Sequence, residues 1–70
     1  MSMQALRSFI DERHIPVSAI ASQMGISRGG LYKKINGETD LTITEVRNII
    51  KITRMEPAEV NHIFFDDELI

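Results

Sequence analysis

The segment from Val17 to Ile35, Val-Ser-Ala-Ile-Ala-Ser-Gln-Met-Gly-Ile-Ser-Arg-Gly-Gly-Leu-Tyr-Lys-Lys-Ile, leaves this chain little choice of structure. Ile20 and Met24 are one helical turn apart, as are Leu31 and Ile35, with Ile26 between the two pairs. Gly25 stands where a left-handed residue can end a helix in one step. Ser27 can cap the next helix by accepting from its exposed N–H groups. The spacing predicts two short helices closed on a common seam of Ile20, Met24, Ile26, Leu31 and Ile35. Ala21 falls where the second helix crosses, and a larger side chain there would push the helices apart.

The flanks predict three more helices. Met3, Leu6, Phe9, Ile10 and Arg13 follow helical spacing over about Ser2 to Arg13. Ile15-Pro16 ends that run, because the residue before proline is pushed out of the helical region, and Pro16 opens the second helix. The third helix is expected over about Arg28 to Asn36, stopping at Gly37. After Glu38-Thr-Asp40, Thr42-Ile-Thr-Glu45 forms a capping box and Leu41 is placed to staple against Val46. Val46, Ile49, Ile50 and Thr53 then face the core, leaving Arg47, Lys51 and Arg54 outside. Met55-Glu-Pro-Ala-Glu-Val60 repeats the logic, with Pro57 in the first turn, Met55 stapling Val60 and Glu56 as a weaker cap. This fifth helix is expected to reach about Phe65. Adjacent helical residues diverge by about 100°, so Phe64 and Phe65 cannot both face one core. Together with Leu69 and Ile70 they are candidates for a dimer contact.

Seventy residues make one domain, at a size where a single core is only just adequate and no separate catalytic domain fits. We expect an all-α domain over residues 1–65 and an acidic, apolar tail over 66–70. Cysteine is absent, which removes disulfides and thiolate metal sites. His14 and His62 lack partners at metal-ligand spacing, and no nucleophile or paired-acid arrangement comes with a pocket, so neither a metal, a cofactor nor an enzymatic activity is expected. The N-terminus lacks a signal-peptide pattern and no apolar run is long enough to span a bilayer, which points to the cytoplasm. The formal net charge of −2 seems to disfavour a nucleic-acid partner, but its distribution reverses that inference. Residues 28–37 hold Arg28, Lys33 and Lys34 with no acid, whereas 55–70 hold Glu56, Glu59, Asp66, Asp67 and Glu68 with no Lys or Arg.

Two short helices joined at a glycine are the physical description of a helix-turn-helix unit, whose second helix enters the DNA major groove. The order of small residue, glycine, turn hydrophobe and second-helix hydrophobe at Ala21, Gly25, Ile26 and Leu31 resembles the lambda-repressor-like, or Cro/CI-type, family. Leu31-Tyr-Lys-Lys-Ile-Asn-Gly37 followed by Leu41-Thr-Ile-Thr-Glu45 is similar to the small Cro-type regulators of bacteriophages, and the resemblance covers nearly the whole chain. It implies a five-helix lambda-repressor-like fold and a transcriptional regulator that occupies an operator. Two departures stand out. Family members often have a hydroxyl cap and a Gln, the usual carrier of a phosphate contact, where this chain has Pro16 and Val17, and a hydrophobe where this chain has Lys34.

On that resemblance, Arg28, Gly29, Gly30, Tyr32 and Lys33 are the candidate base-contacting residues. Arg28 can donate two hydrogen bonds to a guanine, and Tyr32 offers a hydroxyl and an apolar ring. Gly29-Gly30 costs about 1 kcal/mol per glycine relative to alanine inside a helix, so it serves either close backbone approach to DNA or a loose helix start. Ser27, Lys34, Asn36 and Thr39 are candidate phosphate contacts, since hydroxyls, amides and ammonium groups supply many of these. Ser27, Asn36 and Thr39 are also explained by capping and turn formation, and Lys34 can lay its stem over the core. The expected partner is a double-stranded, pseudo-palindromic operator bound by two copies, which pair in solution or only on DNA. The competing expectation is a protein-interaction module on the same fold, such as an antirepressor that binds a repressor protein.

Overall fold

A computed structural model describes residues 1–65. They form five α-helices, α1 Met3–Glu12, α2 Val17–Met24, α3 Arg28–Ile35, α4 Ile43–Thr53 and α5 Pro57–Val60, followed by a π-helical turn, Asn61–Phe65, with no strand among the described residues. Side-chain caps start α1 and α4, the second of them as expected. Ser2 Oγ accepts from Ala5 N–H at 3.1 Å at the head of α1, and at α4 the Thr42 Oγ1 and Glu45 carboxylate each accept the other's backbone N–H, at 3.1 and 2.8 Å. Pro16 lies just outside α2, where its carbonyl accepts from Ala19 and Ile20.

The first four helices all stop in the same way. At each end a left-handed residue is followed by an N–H that reaches back five residues: Ile15 to Ile10, Ile26 to Ala21, Glu38 to Lys33 and Met55 to Ile50. These bonds satisfy carbonyls that the helix leaves without partners. Gly25 (φ 75°) and Gly37 (φ 81°) take the left-handed position freely, but His14 and Arg54 take it at φ 55° with a Cβ present. The first helix therefore ends by its own left-handed cap one residue before Ile15-Pro16 is reached.

Leu6, Phe9, Ile10, Ile20, Ala21, Leu31, Ile35, Val46, Ile49, Met55, Ile63 and Phe64 form the core. The seam read from the sequence is present, with Ile20, Leu31 and Ile35 buried and Met24 and Ile26 packed against them. On α4, Val46, Ile49 and Thr53 are buried and Ile50 is half-buried; the Thr53 hydroxyl donates to the Ile49 carbonyl at 2.7 Å. That bond lets a polar side chain sit in an apolar core at little cost.

The end of the fifth helix departs from expectation. After one α-turn the backbone widens into the π-helical turn, which places both Ile63 and Phe64 in the core and leaves Phe65 44% exposed. Ser2 N–H donates to the Ile63 carbonyl at 2.7 Å, so the start of the chain ties down this end. Phe64, expected among the dimer candidates, is 1% exposed and belongs to the core instead. Phe65 keeps an available ring, and Leu69 and Ile70 lie outside the described residues.

Candidate nucleic-acid interface

Helix α3 is built so that one face is locked inward. Leu31 and Ile35 are buried against α1 and α2, and at about 100° per residue the opposite face falls at Gly29 and Lys33, with Tyr32 beside it; Arg28 shares the side of Leu31 and Ile35 by spacing but, as the first residue of the helix, stays in solvent. Arg28, Gly29 and Lys33 are exposed and Tyr32 is half-buried. The Arg28 guanidinium carbon lies 5.7 Å from the Tyr32 ring centroid, one turn along. Such a cation–ring contact at an exposed site stabilises by about 0.5–1 kcal/mol. It holds the guanidinium beside the ring rather than letting it sample all its rotamers.

The head of the helix is set by Ser27, whose Oγ accepts from Gly30 N–H at 2.9 Å. The two glycines then differ. A Cβ on Gly29 would meet nothing within 4 Å, whereas one on Gly30 would sit 3.0 Å from Ser27 Oγ, the capping atom itself. Gly30 is thus explained by the cap, and Gly29 is left as open space on the outward face.

Of the residues expected at phosphates, Ser27, Lys34 and Asn36 make side-chain contacts within the fold. Lys34 does lay its stem inward, with its side chain 19% exposed, and its ammonium donates to the Asp40 carbonyl at 3.1 Å and pairs with Glu45 at 3.3 Å. This ties the end of α3 to the following loop and to the head of α4. Glu45 is held below the ordinary carboxylate range chiefly by the Thr42 N–H; burial opposes this, and the bond and charge of Lys34 lower it further. Asn36 ends α3 and its Oδ1 accepts from Arg7 at 2.8 Å. Ser27 has its oxygen engaged as a cap, and Thr39 stays exposed in the loop.

Arg7 had no signal in sequence, because its partner lies 29 positions away. The same holds for Arg13, which pairs with Glu59 at 2.7 Å and stands 4.9 Å from the Phe9 ring centroid, joining α1 to α5. Glu59 is in turn held below its ordinary range, first by the Glu56 N–H and then by Arg13. Arg28 and Lys33, in contrast, have no acidic partner among the described residues. No helix among those residues is long and apolar enough to cross a membrane. No family model, curated protein or solved structure matches the chain.

Proposed function

We propose that this chain is a sequence-specific DNA-binding transcriptional regulator of the lambda-repressor-like, Cro-type kind, reading an operator with the outward face of α3. One observation carries the reading. Lys34, Arg7 and Arg13 are engaged in holding the fold together, whereas Arg28 and Lys33 stand exposed, without acidic partners among the described residues, on a helix whose other face is buried. Cations without acidic partners on a rigid helix break no ion pair when they turn to phosphates and base edges. Arg28, held against Tyr32, is the base reader and Gly29 admits close approach beside it. Lys33 divides its role between base and phosphate. Loop residue Thr39 is the remaining phosphate candidate, and Lys34 and Asn36 serve the site by fixing α3.

One short helix reads too few base pairs to compete with genomic sites, so two copies act on a pseudo-palindrome. Selection from random duplexes tests the reading, with enrichment of a palindromic site expected. Failure to enrich any site, with specific capture of a repressor protein instead, would favour the antirepressor reading that the net charge of −2 supports. On the enriched site, Arg28→Ala should cost about 1–3 kcal/mol and relax base choice at one position. Lys33→Ala should weaken all sequences more evenly and flatten the salt dependence. Wild-type binding by both variants, still folded by circular dichroism, would remove α3 from the interface.

A further inference from the structure

The outer face of α4 carries a second basic surface that the reading above leaves unused. Thr44, Arg47, Asn48, Ile50 and Lys51 line an open groove of about 500 Å³. Ile43, Arg47 and Ile50 recur at helical spacing along one stripe, and Arg54 follows at the end of the helix. Ile43 is 71% exposed, the most exposed large apolar side chain in the described structure. Ile43, one turn before Arg47 and at the rim of the groove, and the exposed Arg47, Lys51 and Arg54 further along the helix make a mixed apolar and basic surface, and none of those cations has an acidic partner among the described residues.

We propose that this groove docks residues 66–70 of a second copy of the chain. The segment reads Asp-Asp-Glu-Leu-Ile, three acids and then two aliphatic residues, and it follows the exposed ring of Phe65. Its carboxylates match Arg47 and Lys51, and its aliphatic pair matches Ile43 and Ile50. Charge and apolar complementarity together select this occupant over a nucleic acid, which offers anions without aliphatic groups, and over a purely apolar partner. Seated on a second copy, the contact becomes reciprocal. Each copy supplies one groove and one tail, so a two-fold exchange forms both contacts at once and closes the assembly. Either contact alone, five residues on an open groove, would be weak; two on the same pair of molecules reinforce each other.

The test needs no DNA, so its failure and that of the operator reading are distinguishable. Sedimentation equilibrium of the full chain should show a dimer that weakens as salt is raised. The groove variant R47E/K51E and the tail variant D66K/D67K should each weaken self-association by about tenfold or more, because like charges then face each other. Mixing the two should restore association, since in the mixed dimer both groove and tail pairs are again of opposite sign. Circular dichroism of each variant establishes that it is folded. Ile43→Ser, which alters no charge, should weaken the dimer with its salt dependence retained. A wild-type monomer up to the highest soluble concentration would overturn the proposal, as would docking of each tail on its own groove, which also leaves a monomer. Folded charge variants that associate like wild type, or a mixture that fails to restore association, would overturn it as well.

Discussion

Replacing the two glycines of α3 one at a time separates helix propensity from cap geometry. Both lie in the first turn, and each Gly→Ala change contributes up to about 1 kcal/mol of helix stability where the backbone is ordinary. At Gly29 nothing lies within 4 Å of the new methyl, so that gain should appear in full. In a domain of this size it corresponds to a rise in Tm of about 4–8 °C. At Gly30 the methyl would meet Ser27 Oγ at 3.0 Å, closer than an ordinary van der Waals contact. The hydroxyl must move, and the bond it accepts from Gly30 N–H at 2.9 Å is weakened or lost. A serine cap is worth about 1 kcal/mol, so the two effects offset and Gly30→Ala should be neutral or slightly destabilising. Removing the obstructing oxygen completes the argument. In a Ser27→Ala background, already weaker by about 1 kcal/mol, Gly30→Ala should recover its propensity gain, giving a coupling of about 1 kcal/mol between the two sites. Thermal and urea unfolding followed by circular dichroism measure all four proteins. If Gly30→Ala proves as stabilising as Gly29→Ala with Ser27 present, the cap does not constrain this position and the reasoning fails.

Arg54→Gly should raise stability by about 1 kcal/mol, because it relieves a left-handed residue at φ 55° in an exposed position, and His14→Gly should behave alike; an unchanged urea midpoint would contradict this. Since the Glu45 pKa is lowered on folding, its contribution to stability is present above the unfolded value near 4.5 and is lost as pH falls through the lower folded value. Glu45→Gln should therefore flatten the acid limb of the urea midpoint against pH, and an identical limb would refute the assignment. Lys34→Ala should destabilise the domain by about 1 kcal/mol through the lost tie to Asp40 and Glu45. It should leave the salt slope of operator binding unchanged, whereas a slope reduced by about one would restore Lys34 as a phosphate contact.

Where local chemistry decides the outcome, the structure was legible in the residues. The α2–α3 seam, the Gly25 and Gly37 stops, the Ser27 cap and the Thr42–Glu45 box each depend on groups within a few positions of one another, and all are present. The exposed face of α3 was legible for the same reason at Gly29 and Lys33, which helical spacing places away from Leu31 and Ile35, whereas Arg28 is exposed because it heads the helix. Less legible were the helix stops at His14 and Arg54, since neither residue favours the left-handed region by itself. There the neighbours decide: Ile15 and Met55 must turn back to the core, and the backbone adopts whatever conformation delivers them.

The tertiary structure alone decided which cations are paired within the fold. Arg28, Lys33 and Lys34 are indistinguishable as charges along the chain, yet Lys34 is captured by Asp40 and Glu45 while the other two stay exposed. Arg7 and Arg13 find Asn36 and Glu59 across 29 and 46 positions, distances over which sequence pattern carries no information about contact. The division of Phe64 from Phe65 is of both kinds. Helical spacing by itself determined that only one ring could face the core; packing against α1, with the Ile63 carbonyl bonded to Ser2, decided that it is Phe64 and opened the last turn into a π-helix to bury Ile63 beside it. Local bonds are set by neighbours on the chain, whereas burial and ion pairing depend on which surfaces the closed bundle brings together.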